Sequence, residues 1–109
     1  MKKIYPLITV TILLAANAWG QNNRVWATYY GGTGNDLAAK TITDLNGDVY
    51  VSGTTTSTTG IASGGHQNSY GGGTFDAFLV KFNSAGVRQW ATYYGGAASD
   101  GAYDVAVDL

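Results

Sequence analysis

The sequence predicts an all-β fold built from four-stranded antiparallel units, and three observations carry that prediction. The chain repeats itself, its segments alternate like strands rather than helices, and one of those strands is apolar on both faces. Trp26-Ala27-Thr28-Tyr29-Tyr30-Gly31-Gly32 returns as Trp90-Ala91-Thr92-Tyr93-Tyr94-Gly95-Gly96, an offset of 64 residues. In the same register Asp36 meets Asp100, Ala38 meets Ala102, Asp44 meets Asp108 and Leu45 meets Leu109, with no gap. A fixed period of this size marks a repeat architecture, in which one unit cannot bury its own faces and stacks on its neighbours.

The elements of the unit follow in order. Leu37 to Thr43 is a short stretch ending in β-branched residues, and Asp44-Leu45-Asn46-Gly47 after it carries the Asn-Gly hairpin signal. Asp48 to Thr54 alternates and is rich in β-formers. A long Ser/Thr/Gly tract runs from Thr55 to Thr74, either a disordered excursion or a recognition loop. Phe75 to Phe82 is a third strand, Asn83-Ser84-Ala85-Gly86 a turn, and Val87 to Tyr94 a fourth strand closed by Gly95-Gly96. In the third strand Phe78, Val80 and Phe82 share one face while Ala77 and Leu79 share the other. A strand needing cover on both sides suits a blade sandwiched between two others better than a sheet with one wet face.

Ahead of the repeats, Lys2 and Lys3 precede an apolar run from Ile4 to Ala16, and small residues at Ala16, Ala18 and Gly20 offer a cleavage site. That order of features predicts a signal peptide over residues 1–20 and a secreted or cell-surface location. The apolar run is shorter than the ~20 residues a membrane-spanning helix needs, and no basic stop-transfer cluster follows it. Beyond residue 20, four basic residues (Arg24, Lys40, Lys81, Arg88) face seven aspartates and no glutamate, a net charge of −3. A mildly acidic chain with no basic cluster excludes nucleic acid as an expected partner. With no cysteine, neither disulfides nor thiolate metal sites can staple it.

The strings Trp-Ala-Thr-Tyr-Tyr-Gly-Gly, Asp44-Leu-Asn-Gly-Asp-Val-Tyr-Val-Ser-Gly-Thr54 and Asp76-Ala-Phe-Leu-Val-Lys-Phe-Asn-Ser-Ala-Gly86 closely resemble the bacterial seven-bladed β-propeller repeat, abbreviated SBBP. The resemblance spans residues 24–109. It implies β-propeller blades, about one and a third of them: residues 24–31 as the outer strand of a neighbouring blade, 37–94 as a full blade, and 101–109 as the start of the next. Propellers close with about 4–8 blades, so the chain reads as a partial sequence or truncated product. The resemblance further implies a secreted or surface protein with no assigned reaction. The expected function is therefore a non-catalytic structural or interaction module. Its expected partners are neighbouring blades of a longer chain and an extracellular protein or glycan. The alternative is a fragment of a propeller enzyme acting on polysaccharide, with its active site in other blades.

Candidate sites are few. Gly31-Gly32-Thr33-Gly34-Asn35-Asp36 resembles a phosphate loop, but Leu37 stands where a last glycine would be, and the repeat copy has Ala97-Ala98 in place of Thr33-Gly34. Turn glycines are the better reading. Asp44, Asn46 and Asp48 offer oxygens at alternate positions and form a calcium candidate, against a hairpin reading in which the aspartates cap backbone amides. His66 is the single histidine and has no recognisable catalytic partner. Trp26, Tyr29 and Tyr30 with Trp90, Tyr93 and Tyr94 are read as blade-to-blade packing, with sugar stacking as the rival use. No catalytic residue or cofactor is expected.

Overall fold

The computed structural model describes residues 24–108, so the expected signal peptide over residues 1–20 lies outside them. Four strands, β1 (Asp36–Thr43), β2 (Val49–Thr55), β3 (Asp76–Phe82) and β4 (Arg88–Tyr94), form one antiparallel sheet in sequence order. This is the four-stranded meander the repeat unit requires, and no helix occurs among the described residues. Among them, accordingly, no helix is long and apolar enough to cross a membrane.

The pairing sorts the side chains into two faces. Val49 lies opposite Phe82, Val51 opposite Val80, and Gly53 opposite Phe78. Phe78 in turn faces Tyr93, and Val80 faces Ala91. Cross-strand partners share a face, so Val49, Val51, Phe78, Val80, Phe82, Ala91 and Tyr93 form one apolar surface, here called the seat face. Tyr50, Leu79, Lys81, Trp90 and Thr92 stand on the other. Register slips at Ala38/Lys40 and at Lys81/Phe82 each insert one residue without exchanging the faces. Gly53 is obligatory for close packing: a Cβ there would fall 1.9 Å from the Leu37 carbonyl oxygen and 2.9 Å from the Phe78 ring.

The two hairpins share one construction. Gly47 takes φ 78° and Gly86 takes φ 81°, and among the described residues no non-glycine has positive φ. The Asn46-Gly47 turn is thus not the two-residue type with both central residues at positive φ that the Asn-Gly pair suggested. It is a three-residue loop with only its glycine left-handed, closed by Asp44 N–H to Asp48 O at 3.0 Å. Asp44 Oδ1 accepts the amides of Asn46 (2.9 Å) and Asp48 (3.0 Å). In the other hairpin Asn83 Oδ1 accepts those of Ala85 and Val87, both at 3.0 Å.

The tract after β2 is ordered, not an excursion. Ser63 and Ala91 exchange backbone hydrogen bonds of 2.9 and 3.0 Å, and Tyr93 N–H donates to Gln67 O at 2.9 Å. Gln67 also receives Gly95 N–H on its side-chain oxygen at 3.1 Å. The tract therefore pairs with the free side of β4 and occupies an edge that would otherwise present bare amides. Ile61, the one large aliphatic residue in it, is wholly buried in the core with Phe78, Val80, Phe82, Ala91 and Tyr93.

Residues 24–31 and 101–108, expected as strands of flanking blades, form no ladder among the described residues. Residues 24–31 instead run as a strap across the seat face.

Candidate functional site

The strap and the seat face make the most developed contact surface of the molecule. Residues two apart in an extended segment point the same way, so Trp26, Thr28 and Tyr30 share one side and Ala27 and Tyr29 the other. Trp26 lies 6.0 Å from Phe82 between ring centroids, and Tyr30 lies 5.4 Å from Phe78 and edge-on to Phe82 at 6.0 Å. These are offset and edge-to-face separations, the favoured ones for aromatic pairs. The Tyr30 hydroxyl donates to Ile61 O at 3.0 Å, which ties the strap to the ordered tract. Burial raises the Tyr30 hydroxyl well above its usual pKa, against a smaller lowering by Arg88. Beside the strap, over the β1–β2 half of the seat face, an open cavity of about 340 Å³ is lined by Trp26, Ala38, Thr41, Val49 and Val51 among others.

The strap is anchored where Gly31-Gly32 turns into β1. Gly32 N–H donates to Asp36 Oδ2 at 2.8 Å, while Asp36 Oδ1 accepts the hydroxyls of Thr55 and Ser57. Gly34 N–H reaches Ser57 Oγ at 2.8 Å. These amides bind a carboxylate and a hydroxyl of the chain itself, which is the turn reading of the glycine loop. The second copy repeats the lock: Gly96 N–H donates to Asp100 Oδ2, again at 2.8 Å.

The second aromatic set is arranged differently. Tyr93, the copy of Tyr29, is buried, with its hydroxyl donating to Ser57 O at 2.8 Å and its ring edge-on to Tyr70 at 5.8 Å. Tyr94, the copy of Tyr30, is exposed. Trp90, the copy of Trp26, touches Tyr50 edge-on at 6.4 Å on the face opposite the strap. Lys81 passes over the Tyr50 ring at 5.2 Å on its way to Asp48 Oδ2, 2.9 Å from its ammonium.

The calcium candidate is taken up by local bonds. Asp44 Oδ1 caps two amides, and Asp44 Oδ2 accepts the Tyr50 hydroxyl at 3.1 Å. Partial desolvation raises the Asp44 pKa, but the amides of Asp48 and Asn46, the Tyr50 hydroxyl and Lys81 together hold it below its usual value. Asp48 is spent on Lys81. The neutral Asn83 does the same capping in the sister hairpin, so the oxygen at this position serves the turn whether or not it is charged. His66 borders a shallow depression with Gly64, Gly65, Leu79, Trp90 and Thr92, none of which is a carboxylate able to orient an imidazole.

Sequence reasoning missed two members of this arrangement. Ile61 had a signal, since a lone aliphatic residue in a Ser/Thr/Gly tract has reason to be buried. The Asp36–Thr55–Ser57 cluster had none, because its partners lie about twenty residues apart and meet only through the β1–β2 pairing.

Residues 25–61 match the family model for the SBBP β-propeller repeat. The matched span begins in the strap and ends at Ile61, whose carbonyl receives the Tyr30 hydroxyl. No curated protein matches the chain, and no solved structure does.

Proposed function

Because the chain carries an SBBP β-propeller repeat, we propose that it is a non-catalytic structural and interaction module of a secreted or cell-surface propeller. Each blade seats the aromatic side chains of one neighbour and offers its own to the next. One observation carries this reading: the same Trp-x-Thr-x-Tyr side that is seated at Trp26 and Tyr30 is bare at Tyr94 and half-covered at Trp90. An interface whose two sides differ in this way joins units head to tail, the relation that builds a ring. The loops at the blade ends are then the surface offered to an extracellular protein or glycan. Export is inferred from the residue pattern at 1–20 and is checked by the N-terminal sequence of secreted protein.

The test of stacking appends a second copy of residues 37–100 after residue 100, which supplies the missing seat. The Trp90 emission is expected to shift to the blue. Trp90→Ala, mild in the chain as it stands, should then cost as much as Trp26→Ala, about 2 kcal/mol. A Trp90 that stays equally wet in the extended protein would sink the stacking reading. Turnover of any polysaccharide by the chain would overturn the non-catalytic one.

A further inference from the structure

Two buried side-chain polar atoms lack a hydrogen-bond partner among the described residues, Ser52 Oγ and Asp76 Oδ1. The first is a hydroxyl, whose proton can rotate toward weak acceptors. The second belongs to a wholly buried carboxylate, and a buried charge without a counter-charge is far more costly. Among the described residues the ion pairs are Lys40 with Asp104 and Lys81 with Asp48, so no basic side chain reaches Asp76.

The surroundings of Asp76 add further oxygen. A point one Cβ bond out from Gly95 lies 2.9 Å from Asp76 Oδ1 and 2.9 Å from Asp100 Oδ2, so two carboxylates from different segments address the same place. The carbonyl oxygens of Gly95 and Gly96 each lie 2.6 Å from the corresponding point at Gly71, whose amide donates to Asp76 Oδ2. The start of β3 and the 96–100 turn thus bring two carboxylates together beside Gly95, while the Gly95 and Gly96 carbonyls line the neighbouring approach to Gly71. Nothing comparable surrounds Asp36, whose two oxygens are satisfied by Gly32, Thr55 and Ser57.

We propose that Asp76 and Asp100, whose carboxylates converge beside Gly95, hold a hard divalent cation of the calcium class at this junction. Calcium takes several oxygen ligands in flexible geometry at about 2.3–2.6 Å, and it suits a pair of carboxylates that leaves its other positions to water. The ion supplies the positive charge that the buried carboxylate lacks and ties the turn after β4 to the start of β3. This site is distinct from the Asp44–Asp48 hairpin.

The test is calorimetric titration of the full chain with calcium chloride. It is paired with melting curves in calcium and in sodium chloride of matched ionic strength. Extracellular modules bind calcium with dissociation constants of about 0.1–1 mM, so that is the expected range. At ten-fold excess the melting temperature should rise by about 5 °C. Asp76→Asn and, in case that buried change prevents folding, the more exposed Asp100→Asn should each abolish the heat and the shift. Asp44→Asn should keep both. No binding up to about 10 mM calcium, a range well above that of such modules, overturns the proposal. A response lost in Asp44→Asn but retained in Asp100→Asn overturns it too, by moving the ion to the hairpin.

Discussion

In residues 26–32 the second tyrosine of the pair is held against the sheet and the first stands in solvent; in residues 90–96 the assignment is reversed. Tyr29 is 104% exposed and its copy Tyr93 is 1% exposed, whereas Tyr30 is seated on Phe78 and its copy Tyr94 is 71% exposed. The two segments have identical sequence, so neither propensity nor local pattern can be the cause. The difference is in what each side of the strand meets. β4 has the rest of its sheet and the ordered tract against it, which bury Tyr93; the strap has the seat face in front of it, which seats Trp26 and Tyr30. Under the head-to-tail stacking proposed above, the two half-environments combine into one, with the first tyrosine inside its own blade and the tryptophan and second tyrosine inside the next.

The sharpest way to break that comparison is to truncate the first tyrosine in each copy. Tyr93→Ala should cost about 3–5 kcal/mol, the range for a large buried aromatic, and Tyr29→Ala should stay within about 0.5 kcal/mol. Urea melts of the two variants decide it, and equal losses would mean that the copies are not in different environments. The glycines give a smaller contrast of the same kind. A Cβ on Gly32 would lie 2.1 Å from Thr59 O, while one on Gly96 meets nothing within 4 Å. Gly32→Ala is expected to cost about 1–3 kcal/mol by overpacking and Gly96→Ala almost nothing, as read from melting temperatures. With a following blade supplied, Gly96→Ala should become as damaging as Gly32→Ala.

The smallest effect compares the two hairpins. Asp44 has its pKa lowered in the folded chain, so its contribution is fully present above the unfolded value of 3.8 and is lost as pH falls through the lower folded value. Asn83 does not titrate. Amide exchange at Asn46 and Asp48 should therefore accelerate on acidification below about pH 4 relative to that at Ala85 and Val87. Asp44→Asn should remove the difference, because the amide oxygen caps the same backbone amides without titrating. Parallel acid responses in the two hairpins would contradict the cap assignment.

Much of the fold could be read from the residue order, and the reasons are local. The strand positions follow from alternation and β-branched content, and the hairpins from an Asx followed three residues later by glycine. The repeat shows itself because residues 26–32 and 90–96 are identical and lie in one register with further matches such as Asp36 and Asp100. The Ser/Thr/Gly tract was not legible as structure, since its order comes from bonds to β4 at Ala91 and Tyr93 rather than from any periodicity of its own. Nor were the partners of Asp36 and Asp76, which are brought together by strand pairing and by turns that return to the sheet. The Asn46-Gly47 pair correctly marked a hairpin but not its type. The flanking Asp44 and Asp48 lengthen the loop by closing it between themselves, and that leaves Asn46 at negative φ.

By itself the sequence determined that residues 25–61 carry a match to the SBBP β-propeller repeat, where the strands lie and which side chains alternate along them. Those properties depend on a residue and its near neighbours. Only the tertiary structure decided which of two identical tyrosines is buried, that the Ser/Thr/Gly tract closes the β4 edge, and that Asp76 is left inside without a counter-charge. Burial and charge compensation belong to surfaces assembled from distant segments. An identical string of residues can therefore serve as a strap in one place and as a core strand in another.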